Sequence, residues 1–148
     1  MKPTEIILHC SATKENADFS ISDIDRWHRE RGFKKVGYHF VIRLDGTIEE
    51  GRKENEIGSH CKGHNNKSIG ICYIGGLDKD GKPKDTRTEE QKESLYHLVG
   101  KLLLKHDIPI SSIHTHNEFA NKACPCFSAD EFIKELNEWI KNEMEQGN

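Results

Sequence analysis

IHTHNEFANKACPCF, residues 113–127, gathers His114, His116, Glu118, Lys122, Cys124 and Cys126 into one fifteen-residue stretch. Two imidazoles, two thiols, a carboxylate and an ammonium group are more reactive chemistry than a structural loop needs. Zinc prefers nitrogen and sulfur donors in a tetrahedron, and catalytic sites use three protein ligands with the fourth position left for water. His116 and Cys124 can be two of the three. The third is expected from a separate element, because a catalytic metal is held between elements that fix its open position. His9 is the best candidate. In EIILHCSAT, residues 5–13, the apolar run Ile6, Ile7 and Leu8 reads as a buried strand and His9 falls at its carboxyl end. Strand ends are where open α/β sheets place ligands.

Working outward, SATKENADFS (residues 11–20) is polar and reads as a loop. A helix follows with Ser20 or Ser22 as N-cap, repeats Ile21, Ile24 and Trp27 at helical spacing, and stops at Gly32. Its His28 is expected to be a packed or solvent-edge histidine. From Val36 the period becomes two: Tyr38, Phe40 and Ile42 alternate with His39, Val41 and Arg43, which marks a strand. Leu44, Asp45 and Gly46 turn it, and Thr47 to Glu50 return as its hairpin partner. Arg52 to Lys67 reads as a long irregular loop, with His64 at the surface; loops of that length in a compact domain are usually functional or disordered. Ser68 to Ile74 is a central strand with Cys72 as an inert buried thiol. GGLDKDGKPKDTR (75–87) is a solvated connector.

Thr88 and Gln91 form a capping box for the longest helix, whose Leu95, Leu98, Val99, Leu102 and Leu103 bury against a sheet. His97 and His106 are expected to be exposed, and Pro109 stops the helix. A short strand through Ser112 to Thr115 delivers His116. Ser128 with Glu131 caps a last helix that packs Phe132, Ile133, Leu136, Trp139 and Ile140 inward and frays from Asn142. This order suits an α/β domain with a central mixed β-sheet flanked by α-helices. It does not give the strand order.

The 148 residues, 34% hydrophobic, 32% charged and with a formal net charge of -3, describe one soluble domain with a modest core and give no reason to expect nucleic acid. No segment is suited to span a membrane. MKPTEIILHC lacks the length and cleavage pattern of a signal peptide. Five cysteines, an odd count without an export signal, argue against a disulfide framework.

Four blocks carry a family resemblance: HCSAT (9–13), VGYHFVIRLDGTIEEGR (36–52), GSHCKGHNNKSIGICYIGG (58–76) and HNEFANKACP (116–125). In this order they resemble the zinc-dependent N-acetylmuramoyl-L-alanine amidases of the phage lysozyme type, relatives of animal peptidoglycan recognition proteins. The resemblance covers roughly residues 5 to 140. It implies an amidase-like α/β fold in one domain over residues 1–148. It also implies hydrolysis of the amide between N-acetylmuramic acid and L-alanine in peptidoglycan, as in a phage or prophage endolysin. One Zn²⁺ is implied on His9, His116 and Cys124, where zinc brings a water to nucleophilic strength near neutral pH. Lys122 matches the residue that stabilises the oxyanion and Tyr38 the active-site tyrosine. His60 in GSH matches a position facing the substrate. A phenol with a pKa near 10 is a poor base at pH 7, so Tyr38 is expected to donate a hydrogen bond. Glu118 is a candidate general base that spacing alone does not place. The protein is expected to be a monomer, made in the cytoplasm and acting on the cell wall after release or export by another route.

Three other readings compete. His114, His116, Cys124 and Cys126 can form a closed structural zinc site. A peptidoglycan-binding protein without catalysis is a second, though its type lacks the cysteine that Cys124 supplies here. A cysteine hydrolase built on Cys10 and His9 is poorly placed, because strand neighbours point to opposite faces.

Overall fold

The computed structural model describes residues 1–147. Five strands form one sheet in the order β4-β3-β5-β1-β7: β1 Glu5–Cys10, β3 Phe40–Ile42, β4 Ile48–Glu50, β5 Ser68–Tyr73 and β7 Ile113–Thr115. β1 runs parallel to both β5 and β7, β3 runs parallel to β5, and only the edge strand β4 is antiparallel. The two-residue strands β2 (Thr13–Lys14) and β6 (Gly76–Leu77) pair beside it. The sheet is mixed, as the order of elements implies.

The register of β1 on β5 decides what each face carries. Glu5 lies opposite Ser68, Ile7 opposite Gly70 and His9 opposite Cys72. Alternation therefore puts Ile6, Leu8, Cys10, Ile69, Ile71 and Tyr73 on the other face. There they form the main core with Leu95, Leu98, Val99 and Leu102 of α2 (Glu89–His106) and Phe132 and Leu136 of α3 (Ala129–Gln146). Ile6 and Leu8 are at most 1% exposed. Burying each aliphatic side chain of this size contributes about 1.5–3 kcal/mol. The opposite face holds a smaller cluster of Ile24, Val36, Val41, Cys72 and Ile74, covered by α1 (Ile21–Glu30). Glu5, His9, Ser68 and His114 share that face, and the site lies there.

The helix ends follow their sequence signals. Ser20 caps α1 in a box with Asp23, Thr88 caps α2 with Gln91, and the Ser128 hydroxyl accepts the Glu131 N–H of α3. Gly32, at φ 96°, follows the end of α1.

Several expectations are corrected. The strand begins at Phe40 rather than Val36, because the Gly37 N–H donates to His28 Nδ1 and the Gly37 carbonyl accepts from Ser59 N–H, which takes this stretch out of the ladder. The connector after β5 is not simply solvated. It contains β6, and Arg87 is buried beneath α3, bonded to Asp85 and Glu135. His64 is half-buried, 2.7 Å from Glu5 and stacked on Phe119. His106 is half-buried on Glu54. α3 continues to Gln146 rather than fraying from Asn142.

Candidate active site

His9 ends the apolar stretch of β1 and is 1% exposed. His116 opens the 3-10 turn His116–Glu118 directly after β7, the other neighbour of β1. Cys124 follows in the next loop, where the backbone N–H of Cys10 donates to its Sγ at 3.1 Å. One ligand atom from each of His9, His116 and Cys124 lies within 4.8 Å of the others, the one such group among the described residues.

These residues fit zinc. Nδ1 of His9 and Nδ1 of His116 are 3.2 Å apart. A tetrahedral ion with Zn–N near 2.0–2.1 Å requires an edge of about 3.3 Å between two nitrogen ligands. Burial, followed by the charges of His60, His116 and Lys122, holds the His9 pKa well below its ordinary value; burial and then Lys122 lower that of His116. Both rings are thus kept neutral, the form that binds a metal.

His116 also lines a cleft of about 380 Å³ together with Tyr38, His60, Lys122, Arg31 and Lys62. His9 and Cys124 lie behind it. Burial, then the Cys72, Cys124 and Cys10 thiols, raises the Tyr38 pKa well above its usual value, so its hydroxyl is a donor and not a base. His60 Nδ1 stands 2.9 Å from His9 Nε2, and burial and then His39 lower the His60 pKa to about 3. His60 therefore faces both the cleft and the ring behind it.

Other sequence candidates go elsewhere. The Glu118 carboxylate accepts the Thr115 N–H at 2.6 Å and faces His114 Nδ1 at 3.1 Å, so it caps its own turn and is absent from the cleft lining. Cys126 Sγ faces the Gly76 carbonyl at 3.3 Å, and His114 sits between Glu118 and Glu5. The closed four-ligand set is not brought together. His28 is buried and bonded to Gly37, as a packed histidine, yet its edge reaches the cleft. Arg31 and Lys62 carry no sequence signal for the cleft they line. Arg31 has no motif around it, and only its position at the end of α1 turns it to the cleft.

A sheet that delivers His9 and His116 from adjacent parallel strands, with a cysteine thiol beside them and a cationic cleft in front, makes a candidate metal centre open to a ligand. The chain belongs to the N-acetylmuramoyl-L-alanine amidase family, whose model matches residues 1–127. It is 43% identical over 139 residues to the endolysin of Escherichia phage T7, covering 94% of this chain and 87% of the relative. To the endolysin of Enterobacteria phage K11 it is 41% identical over 131 residues, covering 88% and 85%. Among solved structures, the N-acetylmuramoyl-L-alanine amidase LysC from Clostridium intestinale superposes with a TM-score of 0.77 at 32% identity, over 92% of this chain and 86% of that one. The chain is therefore an enzyme, a peptidoglycan amidase of the endolysin kind, and its α/β fold is that of the amidases and peptidoglycan recognition proteins.

Proposed function

We propose that this chain, as one domain and a monomer, hydrolyses the amide between the lactyl group of N-acetylmuramic acid and L-alanine with one zinc ion held by His9, His116 and Cys124. The observation that carries the reading is the convergence of those three ligand atoms beside a cleft lined by Tyr38 and Lys122. Zinc bound there supplies Lewis acidity and a water activated near neutral pH. The protein's own groups account for the rest. The Lys122 ammonium stabilises negative charge developing on the carbonyl oxygen, and the Tyr38 hydroxyl donates a hydrogen bond to the same region. His60 lines the cleft against the substrate.

The cleft also matches the charge of its substrate. Arg31, Lys62 and Lys122 line it and no carboxylate does. Peptidoglycan stem peptides are anionic, and a concave surface of one sign raises the local concentration of a ligand of the other. On this reading the protein is made in the cytoplasm and reaches the wall after release or export by another route. Metal analysis with an amidase assay on purified peptidoglycan tests the reading. About one zinc per chain, with turnover lost on chelation and restored by zinc, is expected from a three-ligand catalytic site. Full turnover after confirmed zinc removal overturns it.

A further inference from the structure

Behind His9, on the side away from His116, runs a chain of hydrogen bonds whose direction is set at its far end. The His64 backbone carbonyl has no proton to give, so the Ser68 hydroxyl, 2.6 Å away, must donate to it. With its only hydrogen used, Ser68 Oγ must accept from His60 Nε2–H at 3.2 Å. A neutral His60 protonated at Nε2 presents a bare Nδ1, which must accept from His9 Nε2–H at 2.9 Å. Neutral His9 then has an unprotonated Nδ1, the atom that stands 3.2 Å from His116 Nδ1.

We infer that Ser68 and His60 are positioning residues that fix the tautomer and ring angle of His9 so that its Nδ1 lone pair is presented to the metal. This rests on the ligation by His9 proposed above. Three further features hold the chain in place. Ser68 is fully buried in β5. Asn65 Oδ1 accepts the backbone N–H groups of His60 and Cys61 at 2.8 and 2.9 Å, which fixes the loop. The His60 ring lies directly over Gly70, where an added Cβ would stand 2.6 Å from ring atoms, so only glycine leaves the ring its place. Partners of this kind behind a metal-binding histidine change metal affinity by about 10- to 100-fold when removed. His116 has no such partner among the described residues, so the orientation of the pair is set through His9.

The test uses the full chain with Ser68→Ala, His60→Leu and His60→Asn, each checked for a wild-type thermal transition. Asparagine places an oxygen near the former Nδ1 and keeps an acceptor for His9; leucine does not. Zinc affinity, read by competition with a chromophoric chelator, is expected to fall about 10-fold in Ser68→Ala and up to about 100-fold in His60→Leu, with His60→Asn between His60→Leu and wild type. Long-range ¹⁵N–¹H spectra of wild-type protein are expected to show His9 and His60 protonated at Nε2. A role for His60 in substrate contact alone predicts zinc affinity within about twofold of wild type in Ser68→Ala and His60→Leu, and that result overturns the inference. A His9 ring protonated at Nδ1 overturns it as well. If wild type binds no zinc, the ligation fails, and the tautomer spectrum still judges the hydrogen-bond chain separately.

Discussion

Cys10 gives its backbone N–H to the Sγ of Cys124 at 3.1 Å, while its own side chain packs into the core on the face opposite His9. The residue after one proposed ligand therefore anchors another. The same placement removes Cys10 as a nucleophile. Its thiol is held far above its ordinary pKa, first by a separate side-chain contact with the Cys124 thiol and then by burial, and only a thiolate is reactive.

Cys126 lies two residues from Cys124 but turns its sulfur to the Gly76 carbonyl, so the two thiols have different surroundings. Side by side, His9→Ala should lose zinc and turnover, whereas Cys126→Ser should keep both. Metal content after dialysis and amidase rate are the measurements. The opposite pattern would move the metal to a closed site around Cys126.

Lys122 is exposed on the cleft and close enough to lower the pKa of both His9 and His116. If its ammonium stabilises the oxyanion, Lys122→Ala should keep zinc and fold and lose roughly 100- to 1,000-fold in kcat, about 2.7–4 kcal/mol. Peptidoglycan binding should survive much better than turnover, because the contact strengthens as charge develops. A rate within a factor of about three of wild type, under 1 kcal/mol, would leave Lys122 as a surface charge.

Arg87 is the stability counterpart. Its guanidinium is 1% exposed, pairs with Asp85 and Glu135 at 2.9 and 3.0 Å, and lies 3.9 Å over the Phe127 ring. Arg87→Ala should cost about 3 kcal/mol, the lower end for breaking a buried pair, because both carboxylates keep contact with water. Urea midpoints measure it. A loss under about 0.5 kcal/mol, the range of ordinary surface substitutions, would show that the pair is solvated.

What the sequence disclosed and what it hid divide along one physical line. That His9, His116 and Cys124 come together is legible because ligand chemistry and strand-end position are local, and the hairpin and caps carry their own turn and capping residues. The position of β5 between β3 and β1 was not, since parallel pairing is made through long crossovers without a local signature. Arg87 reads as solvated because its charge is local, whereas Glu135, which makes its burial possible, is distant in sequence. Ser68 gave no signal, as its role exists only once His60 lies across Gly70. The tail reads as frayed from its charge, yet Glu, Met and Gln are good helix formers and no breaker comes before Gly147.

His39 and His28, neither of them a proposed ligand, should each add to the acid sensitivity of the fold. His39 is fully buried, accepts the Gly70 N–H at Nδ1 (3.0 Å) and donates from Nε2 to the Glu56 carbonyl (2.7 Å). His28 Nδ1 accepts the Gly37 N–H at 2.9 Å. A proton added at either Nδ1 would face an N–H, so the fold requires both rings neutral. Burial is the first cause of the lowered pKa of each; for His28 the charges of Arg31 and Arg52 add to it. The folded pKa lies below the unfolded value of about 6.5, so the unfolded chain binds more protons as pH falls past that value, and stability drops with it. Each such ring contributes up to about 1.4 kcal/mol per pH unit between its two pKa values. Urea unfolding at pH 7.5, 6.5 and 5.5, run on wild type and His39→Gln under the same zinc concentration, isolates one ring. His39→Gln should be less stable at pH 7.5 but lose stability less steeply between pH 6.5 and 5.5. Parallel stability curves for the two proteins would mean that His39 takes up its proton in the fold as readily as in the unfolded chain, and the neutral-ring argument would fail.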